Sequence, residues 1–88
     1  MRKRIAILGS TGSIGKSTLE VIKKDKKNFN IILLTANNNY KRLIKQAKEF
    51  NAQNVLIKNK KFYNKVKNSL KKNGTKVFSG DVSLKKII

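Results

Sequence analysis

Apolar residues in this chain fall into two textures, short unbroken runs and sparse stripes at helical spacing. The runs are Arg4 to Leu8, Asn30 to Thr35, Asn54 to Ile57 and Lys76 to Phe78. Each is short, rich in Ile, Leu or Val, and bounded by glycine or polar residues, which predicts strands. The first, cut off by Gly9, reads as a strand buried on both faces. Between the runs the apolar positions spread out. From Ser13, residues Ile14, Thr18, Val21 and Ile22 recur at three- and four-residue spacing, with Lys16, Glu20, Lys23 and Lys24 opposite. That pattern predicts an amphipathic helix to about Lys24, ended by Asp25 to Asn28. Leu43, Ile44, Ala47 and Phe50 outline a second helix; Phe62, Tyr63, Val66 and Leu70 outline a third, stopped at Asn73-Gly74. The order β-α-β-α-β-α-β predicts an α/β fold around a parallel sheet with right-handed crossovers. The final LKKII leaves apolar residues at the end of the sequence, and the chain is expected to continue beyond them.

The segment joining the first strand to the first helix is Gly9-Ser-Thr-Gly-Ser-Ile-Gly-Lys-Ser17. A nucleotide-triphosphate loop needs a glycine, four residues, then Gly-Lys-Ser/Thr. Counting back from Gly15-Lys16 puts that first glycine at position 10, which is Ser10, so Gly9 stands one residue early. No later strand ends in an aspartate for magnesium either, since Leu33-Leu34-Thr35 runs towards asparagines. The spacing G-x-x-G-x-x-G instead matches a variant of the dinucleotide fingerprint. One glycine permits the turn off the strand, one lets backbone approach a pyrophosphate, and one lets the helix pack on the sheet. Ser10, Thr11 and Ser13 add hydroxyls able to bond phosphate oxygens or cap the helix, whose positive end favours an anion. The competing reading is a glycine-rich turn with no ligand. Strand, turn, helix and second strand all fall in the order a Rossmann-like, dinucleotide-binding domain requires.

Such a domain usually places a carboxylate at the end of its second strand, about twenty residues past the last glycine, to bond the ribose of NAD. Here the segment reads Thr35-Ala-Asn-Asn-Asn39, with Lys41 and Arg42 just beyond. Nothing there repels a 2′-phosphate and two cations stand ready to neutralise one, which favours NADPH. Asn37 to Asn39 read equally well as a polar turn capping the second helix.

Composition narrows the chemistry. Eighty-eight residues, 39% of them hydrophobic, allow one small domain or a piece of a larger one. With no cysteine and no histidine, disulfides, thiolate or imidazole metal sites and Ser-His or Cys-His catalysis are excluded from this stretch. The four acids, Glu20, Asp25, Glu49 and Asp81, are scattered and suggest no metal cluster, so no catalytic or metal residue is assigned. The net charge of +18 raises the alternative of a basic nucleic-acid-binding module. The lysines are spread along the whole chain among Asn and Ile, as an A/T-rich coding sequence would produce. Only six residues are aromatic, and Phe62 and Tyr63 are accounted for by the third helix, so no stacking platform and no specific nucleic acid are expected. The apolar run Ile5 to Leu8 is too short for a signal peptide, and no stretch approaches a membrane span, so a cytoplasmic protein without a membrane partner is expected.

The string ILGSTGSIGKSTLEVI, with ANNN after the second strand and QAKEF in the second helix, resembles the N-terminus of the 1-deoxy-D-xylulose 5-phosphate reductoisomerases. The distinctive matches cover residues 5–22 and 35–50; residues 58–88 add little. The resemblance implies that 1–88 is a partial NADPH-binding Rossmann domain, with catalytic and C-terminal domains lying outside it. It implies cofactor-binding roles for Gly9, Thr11, Gly12, Ser13, Ile14 and Gly15 in the phosphate turn and for Asn39 after the second strand. Asn37 and Asn38 stand where many members carry glycine and a basic residue, which alters the local means of holding a 2′-phosphate. It further implies a phosphorylated sugar substrate, NADPH as reductant, magnesium or manganese bound by residues beyond this chain, and a homodimer for the full-length enzyme. Alone, residues 1–88 are expected to be inactive. The alternative is another NAD(P)-dependent dehydrogenase with a G-x-x-G-x-x-G turn.

Overall fold

A computed structural model describes residues 2–81 and 84–87. Four strands, β1 (Lys3–Ile7), β2 (Phe29–Ala36), β3 (Asn54–Ile57) and β4 (Lys76–Ser79), form one parallel sheet in the order β1-β2-β3-β4. Between them run α1 (Ser13–Lys23), α2 (Tyr40–Phe50) and α3 (Tyr63–Leu70), with a short α4 (Leu84–Ile87) after β4. Each crossover steps to the next strand in the same direction, and right-handed crossovers then place α1, α2 and α3 on one face. The main core reflects this. Leu19 and Ile22 of α1, Leu43 and Ala47 of α2, and Val66 and Leu70 of α3 pack on Ile7, Ile31, Leu34, Ala36, Val55 and Ile57. On the opposite face Ile32, Leu33 and Leu56 form a smaller cluster with Phe78 and Ile87.

The strand alternation breaks where β2 changes register. Ile5 pairs with Ile31 but Ala6 pairs with Leu33, so β2 carries an extra residue and Ile32 and Leu33 both join the second cluster. Asn54 Nδ2 donates to the Ile32 carbonyl at 2.8 Å, holding the irregular segment from β3.

Two sequence expectations change. β1, expected to be buried on both faces, is the outermost strand of the sheet formed by the described residues, and within this chain only its Ile7 is buried. Among the described residues it has a neighbour on one side only, β2. In α1 the buried stripe is Gly15, Leu19 and Ile22, while Ile14 is 85% and Val21 69% exposed. The helix is rotated so that its one glycine meets the turn before it, and only Ile22 survives from the expected stripe. The C-terminal LKKII, given no element by its pattern, forms α4 over Leu84–Ile87, and Ile88 lies outside the described residues. The expected stripes of α2 and α3 hold, with Ile44, Phe50 and Phe62 half-buried at their margins.

Candidate functional site

Because all four strands are parallel, their C-terminal ends share one edge of the sheet. The Gly9 to Gly15 turn follows β1, Asn37 to Asn39 follow β2, and Lys58 and Asn59 follow β3 on that edge. It is the position at which open α/β sheets hold ligands.

The turn is shaped by two glycines for different reasons. Gly9 has φ +70°, the left-handed region that a side chain disfavours, and nothing else crowds it. Gly15 is needed for space: a Cβ there would stand 2.5 Å from both the Gly9 carbonyl oxygen and Ser10 Cα, and 2.8 Å from the Ser10 carbonyl carbon. These are backbone atoms, so helix and turn could meet this closely only at glycine. Gly12 is different again. It is the N-cap of α1, extended at φ −78° and ψ 175°, and a Cβ would meet only the Gly9 oxygen at an ordinary 3.4 Å.

No side chain caps α1. Lys16 N donates to Gly12 O at 2.9 Å, the first intrahelical bond, so the amides of Ser13, Ile14 and Gly15 ahead of it have no intrahelical acceptor. The helix therefore presents three donors and its positive end on the open side of the turn. Thr11, Gly12, Ser13 and Ile14 thus lie together at one backbone-lined surface, with Ile14 contributing its amide while its side chain points to solvent.

Ser10 departs from its expected role as a hydroxyl available to phosphate or to the helix cap. Its side chain is fully buried, and Oγ donates to Gln46 Oε1 of α2 at 2.8 Å. Gln46 Nε2 donates back to the Ser10 carbonyl at 2.9 Å. From β2, Thr35 Oγ1 accepts from Gly9 N at 2.8 Å and the Thr35 carbonyl accepts from Ser10 N at 2.9 Å. The start of the turn is thus held from three sides, by Gly15 of α1, Thr35 of β2 and Gln46 of α2.

The three asparagines are exposed and each is differently engaged. Asn39 caps α2: its Oδ1 accepts from Arg42 N at 3.2 Å. Asn38 Oδ1 accepts from Asn59 Nδ2 at 2.8 Å, and Asn59 N donates to the Asn37 carbonyl at 3.0 Å. Asn59 also caps the next turn by accepting from Lys61 N at 3.0 Å. The capping reading of this segment therefore applies to Asn39, whereas Asn38 is tied across to β3. Stacked rings of Tyr40 and Phe62, 4.5 Å between centroids, reinforce the same junction.

A shallow groove of about 330 Å³ runs between α1 and α2, with Lys16, Arg42 and Lys45 among its lining residues. Lys16, in the register that first suggests a triphosphate loop, is an exposed residue of α1 on this groove. Lys23 Nζ and Glu49 Oε2 pair across the groove at 3.1 Å, and this hydrogen bond, then the carboxylate charge, raises the Lys23 pKa above its ordinary value. Among the described residues no three acidic side chains converge on a point that could hold a metal ion.

Sequence reasoning missed Gln46, Thr35 and Asn59 as supports of this edge. Gln46 carried a signal, since a polar residue three positions after Leu43 and next to Ala47 lies on the buried stripe of α2. Asn59, on a loop without periodicity, carried none.

Comparison with known proteins agrees with this geometry. A family model for 1-deoxy-D-xylulose 5-phosphate reductoisomerase matches residues 5–88. The chain is 53% identical over 85 residues to the 1-deoxy-D-xylulose 5-phosphate reductoisomerase of Pelagibacter ubique, covering 97% of this chain and 22% of that protein. Among solved structures, it is similar to the reductoisomerase from Zymomonas mobilis in complex with NADPH, with a TM-score of 0.88 and 36% identity over 91% of this chain and 21% of that one. It is also similar to a reductoisomerase in complex with NADPH, fosmidomycin and magnesium, with a TM-score of 0.86 and 31% identity over 97% of this chain and 21% of that one. The chain thus spans about a fifth of the length of the relatives it matches.

Proposed function

The chain belongs to the 1-deoxy-D-xylulose 5-phosphate reductoisomerase family, and from that premise we propose that residues 1–88 are the NADPH-binding part of an enzyme that rearranges and reduces 1-deoxy-D-xylulose 5-phosphate to 2-C-methyl-D-erythritol 4-phosphate. The observation that carries this reading is the uncapped start of α1 against a turn so close that only glycine fits at position 15. That arrangement suits a pyrophosphate: three unsatisfied amides, a positive helix end and no side chain at Gly12 in the way. In this reading Gly9 and Gly15 shape the turn, and Thr11, Gly12, Ser13 and Ile14 hold the pyrophosphate through their backbone and the hydroxyls of Thr11 and Ser13.

On the adenosine side, the Asn37 side chain carries no hydrogen bond among the described residues, Asn39 caps α2 through its Oδ1, and Asn38 is positioned by Asn59. Asn38 replaces the basic residue common in the family, so Lys41 and Arg42 at the start of α2 take over neutralising the 2′-phosphate. When bound, NADPH supplies the hydride for the reduction. The part played by this chain's own residues is to bind and orient it, presenting the nicotinamide along the sheet edge towards a sugar phosphate held by other residues. The four acids here do not converge on a cation site, so the magnesium or manganese of the whole enzyme would be held by residues outside this chain. By the same family reading, the whole enzyme is a cytoplasmic homodimer.

The test is calorimetric titration of the complete protein with NADPH and with NADH. Tighter binding of NADPH by tenfold or more is expected, since each factor of ten is about 1.4 kcal/mol and one partly screened charge pair supplies that much. Equal affinities would remove Lys41 and Arg42 from the choice, and no binding of either would end the proposal. If Lys41→Ala and Arg42→Ala together bring NADPH to the affinity of NADH, the 2′-phosphate is held as stated.

A further inference from the structure

We infer that Gln46 is a positioning residue for cofactor binding, which aims the amide of Thr11 from the far side of the turn. The inference rests on the reading of that turn as the NADPH site. Gln46 lies in the middle of α2, 36 residues from Ser10 in sequence, and is buried. Both ends of its terminal amide bond the same residue: Nε2 donates to the Ser10 carbonyl at 2.9 Å and Oε1 accepts from Ser10 Oγ at 2.8 Å. A carbonyl can only accept, so the amide orientation is fixed by the Ser10 oxygen, and the hydroxyl then completes the pair.

The consequence comes from peptide geometry. The Ser10–Thr11 peptide is trans and planar, so the Thr11 N–H points opposite to the Ser10 carbonyl. With that carbonyl drawn inward to Gln46, the Thr11 N–H is turned away from Gln46. Among the described residues no acceptor is paired with it. Releasing the carbonyl would loosen the 10–11 peptide, because the bonds to Thr35, from the amides of Gly9 and Ser10 and at 3.4 Å from Ser10 Oγ, all lie ahead of it. Gln46 thus couples α2, whose N-terminus sits on the adenosine side, to the donor array on the pyrophosphate side.

A residue that merely supported packing would alter stability and leave the affinity of the folded protein alone. The experiment therefore compares two ligands on the complete protein: NADPH, which spans both regions, and adenosine 2′-monophosphate, which has no pyrophosphate to meet the turn. Gln46→Met keeps the length of the side chain and removes both hydrogen bonds. It should weaken NADPH roughly tenfold, the worth of one well-placed hydrogen bond, with adenosine 2′-monophosphate unchanged. Ser10→Ala leaves the carbonyl bond to Gln46 and should give a smaller loss for NADPH, about threefold. If Gln46→Met binds both ligands as the wild type does, or loses both equally, the inference is overturned. Should Gln46→Met not fold, Gln46→Leu, which likewise removes the bond to the Ser10 carbonyl, decides: weaker NADPH with unchanged adenosine 2′-monophosphate supports it and an absence of any split overturns it. Failure of the wild type to bind NADPH is the distinct result that removes the turn's assignment, and the role of Gln46 with it.

Discussion

Replacing Gly12 with aspartate should make the protein more stable and unable to hold NADPH. Gly12 already has the extended N-cap conformation, φ −78° and ψ 175°, and a Cβ there meets only the Gly9 oxygen at 3.4 Å, so the fold admits the side chain. The new carboxylate is placed to accept from Ile14 or Gly15 N, donors that lack an intrahelical partner. Aspartate in place of glycine at an N-cap gains a few tenths of a kcal/mol, and a negative charge at the helix start adds about 0.3–1 kcal/mol. A domain of 150–250 residues gains about 2–4 °C in Tm per kcal/mol, and a smaller one about twice that, so the rise is a few degrees. Binding moves the other way. A carboxylate about 4 Å from a phosphate charge repels it by roughly 4 kcal/mol at an effective dielectric of about 20, near a thousandfold in Kd. Gly12→Asn separates the two causes: it caps equally well without the charge and should lose only about tenfold, the cost of occupied donors. Differential scanning fluorimetry and calorimetric titration read the two quantities. Gly12→Asp binding NADPH within about threefold of wild type would refute the reasoning. A fall in Tm would refute the capping geometry.

Gly15→Ala should lower stability by about 1–2 kcal/mol in a urea titration, overpacking of roughly 1–3 kcal/mol against a helix-propensity gain of up to about 1. An unchanged midpoint would mean that the turn yields freely. Asn59→Ala should cost about 1 kcal/mol through the lost cap and the freed Asn38, and should weaken NADPH more than NADH. Equal loss for both would disconnect Asn38 from the 2′-phosphate side. For the Lys23–Glu49 pair, the raised folded pKa of Lys23 means its contribution is fully present below the ordinary value of 10.5 and lost as pH rises through the folded value. The Tm difference between wild type and Lys23→Met should thus be flat from neutral pH to mildly alkaline and shrink at strongly alkaline pH, and a difference that grows there would contradict the pairing.

The elements and their order were legible in the sequence because strand runs and helical stripes differ in period, and the glycine spacing marked the turn. What stayed hidden was rotation and neighbourhood. In α1 two stripes compete, Ile14, Thr18 and Val21 against Gly15, Leu19 and Ile22, and their hydrophobic residues are about equally apolar. The winner is decided by Gly15, whose missing side chain lets the helix sit against Gly9 and Ser10, a tertiary constraint that hydrophobicity does not encode. β1 has the composition of a central strand, and in this chain, about a fifth of the length of its relatives, it is the outermost of the four strands. Ser10 looked like a ligand because serine in such a turn commonly faces the phosphate. Its actual partner, Gln46, belongs to a helix that local reading of the turn cannot reach.

The parallel sheet also divides this chain into a working end and an idle end. Every turn that closes a helix and starts the next strand, Lys24 to Asn28, Asn51 to Gln53 and Asn73 to Thr75, lies across the length of the strands from Gly12 and Asn38. Within this chain those turns are the places to attach a label, a surface tether or a tag, since the length of the strands separates them from the open amides of α1.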